Sequence, residues 1–385
     1  MQNIRELAHK HAQYVIDLRH DFHKHPEKSM EEYRTTGAVA AELEKMGIPF
    51  RVLEPSGVIA EIKGAYPGKT IGLRADMDAL SITEKTDVPF KSVNDGFMHA
   101  CGHDTHTAML LGAAKILDEI RGELHGTVRL VFQPGEEVAQ GAKSVIDQKG
   151  IEGVDAMFGI HIGAQRPVGH VFMMAGASAA ACDEWILKIK GRAGHGAAPE
   201  ACVDATVCAA AIIMNLQTIV SREVAAMKPL VVTVGKLETG TRFNIVSGEA
   251  VMTGTNRSFD YDLHHALPGM MERIVKGTCD AYRCDYELTY NMLTEVLVND
   301  ADMTELAKKA AAKITDTPEC VEEATPGMGG EDFAEYTHFC PSAFANLGAG
   351  GEYPHHSDFF WVDESSFEVG SALYAQVAVD YLNQE

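Results

Sequence analysis

The sequence predicts an α/β protein, a sheet with helices on its faces, interrupted by a smaller α+β domain. Three observations predict it. Strand-like and helix-like apolar patterns alternate through the first half of the chain. From about Cys182 the rhythm changes to strand, helix, strand, strand, helix, strand. Helical patterning of the first kind resumes near residue 295, so the middle reads as an insertion. At 385 residues the chain also exceeds the length at which one hydrophobic core stops growing, and two domains are expected.

Taken in order, "MQNIRELAHKHAQYVIDLRHDFHKHPE" carries charge throughout and spaces its apolar residues as an amphipathic helix. It has no unbroken apolar run of signal-peptide length. The stretches "GVIAEIKG", "KTIGLRADM", "TVRLVFQPG" and "DAMFGIHI" read as strands, with "THTAMLLGAAKILDEI" and "AKSVIDQK" as helices between them. Sites in such sheets lie beyond the strand C-termini. Polar residues gather at those ends, in "RADMD", "QPGEE" and "GIHIG". The middle pattern gives strand 184–191, helix 203–220, strands 230–237 and 249–255, helix 261–279 and strand 285–290, the order of a ferredoxin-like sandwich. The boundaries expected are 1–181 and 295–385 for the first domain and 182–294 for the second. "NDADMTELAKKAAAKI" and "FEVGSALYAQVAVDYLNQ" supply helices after the insertion.

Composition narrows the function. With 33 basic and 55 acidic side chains the formal net charge is −22, which repels a phosphate backbone, so nucleic acid is not an expected partner. An anionic substrate would need a local arginine. No segment reads as apolar and long enough to span a bilayer, so no membrane association and a cytoplasmic location are expected. Eight cysteines, at 101, 182, 202, 208, 279, 284, 320 and 340, form no dense disulfide framework. Most read as small buried hydrophobes. Cys101 differs because of its neighbours.

Those neighbours form "HACGHDTH", three histidines, a cysteine and an aspartate within eight residues. Thiolate and imidazole suit zinc and similar cations, and Cys101 and His103 are close enough to share one. Taken alone, the stretch also reads as a helix cap with incidental histidines, and two ligands do not make a site. More donors stand at strand ends: Glu136 and Glu137 after "VFQPG", where extended chain would turn the two carboxylates to opposite sides, and His161 in "GIHIG". His355 and His356 follow in "YPHHSDFF".

With these residues in view, the chain resembles the amidohydrolase branch of the aminoacylase and glutamate carboxypeptidase metallopeptidase family, which includes hippurate hydrolases, N-acyl amino acid amidohydrolases and plant auxin-conjugate hydrolases. "LRADMDAL", "HACGHDTHTAMLLGAA", "VFQPGEE", "GIHIG", "GRAGHGAAPE", "RFNIVSGEA", "GTNRSF", "GGEDFA" and "HSDFFWVDE" carry the resemblance from end to end. It implies a zinc-peptidase-like mixed sheet with an inserted ferredoxin-like lid and dimerisation domain. It further implies two divalent metal ions per subunit, zinc first, with manganese, cobalt or nickel as alternatives. The matching ligands are Cys101, His103, Glu137, His161 and His356, with His355 as the fallback for the last. Cys101 stands where other branches have a bridging aspartate, and Arg74 where they have a histidine. His103 and His161 are assigned to one ion, Glu137 and His356 to the other.

The same resemblance implies Glu136 as the proton-transferring carboxylate, Asp76 as a carboxylate orienting a ligand, and His195 as the group stabilising the tetrahedral oxyanion. Asn244 and Arg257 match residues that hold a substrate carboxylate. Glu331 and Asp332 either support the site or open a helix. The expected activity is hydrolysis of a small N-acyl amino acid, and the expected assembly is a homodimer through an exposed strand edge of the smaller domain. Two other readings stay open: a hydrolase using Cys101 as nucleophile with His103 as base, and a dipeptidase or carboxypeptidase of the same metal-dependent kind.

Overall fold

The computed structural model describes residues 3–384, which divide into two compact units. The larger takes the chain up to Gly176, Val298–Thr325 and the chain from Asp332 on. Its eight-stranded mixed sheet runs in the order Phe50–Val52, Val58–Lys63, His125–Gln133, Tyr66–Asp76, Ala156–Gly163, Ser342–Gly348, Val171–Met173, Val321–Glu323. The four strands from His125–Gln133 to Ser342–Gly348 are mutually parallel, and the outer pairings include antiparallel ones. Parallel strands are covered on both faces. Accordingly, the last six residues of Tyr66–Asp76 are all buried.

Ser342–Gly348 was not anticipated from the sequence. It is buried on both faces and rich in alanine and glycine, so it lacks the alternation by which a half-exposed strand is recognised. The helix His103–Glu119 is buried on nearly every side, as its apolar composition requires. Ile4–Lys24 and Ser366–Leu382 pack against it, and Asn3 caps the former by accepting from the Arg5 backbone N–H. Asp300 caps Ala301–Ile314 in the same way, through Met303 N.

The smaller unit, Ala177–Leu297 with Pro326–Glu331, holds a four-stranded antiparallel sheet in the order Leu230–Thr239, Glu249–Ser258, Ala181–Lys190, Asp285–Thr294. Helices Ala205–Thr218 and Tyr261–Tyr282 complete the ferredoxin-like order. Ala181–Lys190 alternates as a half-buried strand should, with Trp185, Leu187 and Ile189 inward. A Cβ on Gly254 would come within 2.1 Å of the Trp185 ring and 2.2 Å of the Thr233 carbonyl, so only glycine lets the indole lie against this strand. Pro326–Glu331 returns to this unit, where Gly327 donates to the Ser178 carbonyl (2.9 Å) and accepts from Ala180 N (3.1 Å). Hydrophobic periodicity gives no sign of so short a return.

One reading needs correction. Ala205–Glu223 is long and apolar enough, by length and composition, to cross a membrane. Ala205, Cys208, Ala209, Ile212, Leu216 and Ile219 are buried with helical spacing, and they form one core of the unit with Trp185 and Leu187 of the sheet. Its apolar character serves the small core.

Trp185→Ala is expected to destabilise the smaller unit by about 3–5 kcal/mol, measured by urea denaturation, because it empties the largest buried side-chain volume in that core.

Candidate active site

The chain places its chemistry where parallel strands end. Tyr66–Asp76 runs on into Asp78, Ala156–Gly163 carries His161, and His125–Gln133 leads through Pro134 and Gly135 into a 3₁₀ turn, Glu136–Val138. Gly102 precedes the helix His103–Glu119 with φ 97°, and a Cβ there would lie 2.3 Å from Ile162 Cγ2. Both facts require glycine, which lets Cys101 and His103 converge from either side of it.

Cys101 Sγ lies 3.4 Å from His161 Nε2. His161 Nδ1 donates to the Ile162 carbonyl at 2.7 Å, which leaves Nε2 with its lone pair toward the sulfur. His103 Nδ1 donates to Asp78, 3.0 Å from its carbonyl and 3.1 Å from Oδ1. The other nitrogen, Nε2, is 3.9 Å from Glu137 Oε1 and 4.0 Å from Glu136 Oε2. His356 Nε2 stands 3.6 Å from the same Glu137 oxygen. Cys101, His103 and His161 therefore form one group of converging donors, and Cys101, Glu137 and His356 another, with the sulfur common to both.

His103 Nε2 and Glu137 Oε1 are buried and have no hydrogen-bond partner among the described residues. Two such atoms facing one another across 3.9 Å would be costly to leave unpaired, and a divalent cation held by each donor group would satisfy both. The donor set of thiol, imidazole and carboxylate fits zinc and its neighbours. The tautomers agree, since His103 and His161 each present Nε2 while a protein oxygen occupies Nδ1.

Asp78 organises this end of the sheet. Besides holding His103, its carboxylate accepts from Glu136 N (3.1 Å), Glu137 N (3.0 Å) and Ser29 Oγ (2.6 Å). Glu136 and Glu137 were expected in extended chain; the left-handed Gly135 and the grip of Asp78 on both amides turn them into the 3₁₀ turn instead. Asp76, the carboxylate expected to orient a ligand, binds His106 Nδ1 at 2.5 Å and Arg74 at 2.7 Å, with His103 Nε2 3.7 Å away. The carboxylate on the far nitrogen of His103 is Asp78. Sequence reading did not single out Asp78; its only signal was a second aspartate two positions beyond Asp76 in "RADMD".

His106, the third histidine of the opening motif, has both nitrogens engaged: Nδ1 with Asp76 and Nε2 accepting from Ile162 N at 2.7 Å. It ties two strand ends together and has no lone pair to spare. Of the C-terminal pair, His355 Nε2 accepts from Ala164 N at 3.2 Å, while His356, held at φ 65°, reaches Glu137. Asp332 is buried and accepts from Arg74 (2.7 Å), Gln133 (2.8 Å) and Ala142 N (2.9 Å), within the 3₁₀ segment Asp332–His338.

Burial sets the protonation states. It pushes the Cys101 thiol well above its ordinary range. Burial, with His106 and His355 nearby, holds the His161 imidazole well below its usual value and therefore neutral. For Asp76, burial works against the charge, but His103, Arg74 and His106 outweigh it and keep the carboxyl well below the carboxylate range.

The smaller unit carries the remaining expected residues. His195 was read as lying in a loop; it sits in a two-residue strand, Gly194–His195, paired with Ile245–Val246, and is exposed. That pairing brings it beside Asn244, whose carbonyl accepts from Gly196 N at 2.9 Å and whose side-chain Oδ1 is buried without a partner among the described residues. Arg257 lies on Glu249–Ser258, its guanidinium fixed by the carbonyls of Met328 (3.2 Å) and Asn256 (2.9 Å) and by the Thr255 hydroxyl.

Parallel strand ends that gather thiol, imidazole and carboxylate around one gap define a metal-dependent hydrolase of the α/β class. The chain belongs to peptidase family M20/M25/M40, whose pattern it matches over residues 72–380. It is 38% identical to the N-acetylcysteine deacetylase of Bacillus subtilis (strain 168), across 95% of this chain and 96% of that protein. It is 36% identical to thermostable carboxypeptidase 1 of Saccharolobus solfataricus, across 99% and 98%. Among solved structures, the Bacillus subtilis YXEP protein, described as a dinuclear metal binding peptidase from the M20 family, superposes with a TM-score of 0.86 at 36% identity, covering 97% of this chain and 99% of that one. These spans reach both units, so the similarity extends to the insertion.

Asp78→Asn is expected to weaken zinc binding by about 10–100-fold in a buffered titration, because it loosens His103 and the Glu136–Glu137 turn together.

Proposed function

We propose that the protein is a metal-dependent amidohydrolase that splits the amide bond of small N-acyl amino acids into a carboxylic acid and a free amino acid. The observation that carries this reading is the pair of orphaned buried atoms, His103 Nε2 and Glu137 Oε1, facing one another beside Cys101, His161 and His356. The acyl class rests on the deacetylase relative.

In this reading His103 and His161 would hold one divalent cation and Glu137 and His356 a second, with Cys101 a donor common to both groups. Zinc suits the thiolate and imidazoles best, with manganese, cobalt and nickel as alternatives. The chemistry supplied by such a pair is a water acidified to near neutrality and a polarised amide carbonyl. Glu136, on the turn pinned by Asp78, takes a proton from the attacking water and returns it to the leaving amine. His195 stabilises the charge that develops on the carbonyl oxygen. Asn244 and Arg257 hold the substrate carboxylate, and a guanidinium supplies locally the attraction that a chain of net charge −22 lacks.

The nucleophilic-thiol reading is weaker, because burial keeps the Cys101 thiol protonated. Carboxypeptidase action has one observation in its favour, the thermostable carboxypeptidase relative. Eight unpaired cysteines support a reducing, cytoplasmic setting. A homodimer along the edge strand Leu230–Thr239 of the small sheet, which exposes Leu237, is expected by light scattering.

The test combines metal and substrate. Chelation is expected to abolish hydrolysis, and zinc, manganese, cobalt or nickel to restore it, across a panel of N-acetyl, N-benzoyl and indoleacetyl amino acids and C-terminal peptides. Activity that survives the chelator would restore the thiol reading. Glu136→Gln is expected to lower kcat by about 10²–10⁴-fold with a smaller effect on KM.

A further inference from the structure

A second group of metal-type donors lies in the smaller unit and shares no residue with the candidate active site. His264 and His265 stand in the first turns of helix Tyr261–Tyr282, and Glu295 follows the strand Asp285–Thr294. Glu295 Oε2 is 3.1 Å from His264 Nδ1 and 3.3 Å from His265 Nε2, and Glu295 Oε1 is 3.0 Å from the latter. Donors that share a zinc ion at about 2.0–2.1 Å stand about 3.3–3.4 Å apart along the edges of a tetrahedron. Each imidazole already stands close to that distance from the carboxylate, and the three ligand atoms lie within 4.8 Å of one another.

The surroundings are built as metal sites are. On the far side of His264, Nε2 donates to Asp183 Oδ1 at 2.7 Å, the carboxylate–histidine arrangement that fixes a ligand's tautomer. Asp183 is itself held, accepting from the Tyr290 hydroxyl at 2.5 Å, and that hydroxyl accepts from Asn256 Nδ2 at 2.8 Å. The His264 side chain is 1% exposed and the His265 side chain 41%, so one ligand is locked and the other opens the site to solvent. Two carboxylates and a net charge of −22 favour a cation over an anion here.

We propose that His264 Nδ1, His265 Nε2 and Glu295 bind one zinc-like divalent cation, with solvent completing the coordination, as a structural clip between the start of a helix and the end of a strand. The competing account is an imidazolium bridging two carboxylates. Burial disfavours that charge, but hydrogen bonds to Asp183 and Glu295 outweigh it and raise the His264 pKa to about 9. Cation binding therefore releases the Nδ1 proton to solvent and leaves the Nε2 proton on the Asp183 side.

Zinc retained per chain, measured by mass spectrometry of the full-length protein after equilibration in buffered zinc and desalting, tests the site. The wild type is expected to hold one more zinc per chain than either His265→Ala or Glu295→Gln, while all three hydrolyse their substrates within about twofold of one another. Added zinc is expected to raise the thermal midpoint of wild type over either variant, with cobalt giving a tetrahedral visible spectrum that both variants lose. Glu295→Gln keeps the size and a hydrogen bond, which guards against misfolding of the alanine variant. Equal zinc content in wild type and Glu295→Gln overturns the proposal. Because the measure is a difference between proteins with the same catalytic ligands, it is unaffected by how many cations the candidate active site holds.

Discussion

One buried carboxylate, Asp78, sets the geometry on which the site depends. It accepts hydrogen bonds from the His103 ring, from two successive backbone amides and from Ser29, so one residue decides both where an imidazole points and how the Glu136–Glu137 turn is drawn. Burial alone would raise its pKa, and those hydrogen bonds, led by His103, lower it instead. The carboxylate thus stays charged because it is fully used. A charged Asp78 keeps the proton on Nδ1 of His103 and frees Nε2, and the donor set follows from that choice.

The arrangement separates residues that look alike in the sequence. His103 and His106 are three apart on one helix, yet one leaves Nε2 without a hydrogen-bond partner among the described residues and the other has both nitrogens spent on Asp76 and Ile162. Glu136 and Glu137 are adjacent, yet only Glu137 has an oxygen buried without a partner among the described residues. Residue type identifies candidates for chemistry. Which nitrogen or oxygen is left over identifies the participants.

Much of the fold was legible because its elements announce themselves. Strand Ala181–Lys190 alternates, helix Tyr261–Tyr282 has an Asp260 cap, and the turn before His103 carries its glycine. What stayed hidden was non-local or lacked a period. Ser342–Gly348 is buried on both faces, Pro326–Glu331 is too short to have a rhythm, and His195 pairs with a segment fifty residues on. For the site, thiol, imidazole and carboxylate types could be read directly, and the family resemblance supplied their grouping. The choice between Asp76 and Asp78 as the partner of the far His103 nitrogen could not be read, because two aspartates on one extended stretch differ only in what packs against them.

Arg74 is fully enclosed, with Gln133 on its Nε and the carboxylates of Asp76 and Asp332 on its two outer nitrogens. Removing Arg74 would leave the buried carboxylates of Asp76 and Asp332 without their guanidinium, at a cost of about 3–5 kcal/mol. A joint exchange of two members of this trio incurs far less. Arg74 can therefore be exchanged cheaply only together with the carboxylates it neutralises, so this enclosed trio tolerates paired replacement and resists loss of its cation alone.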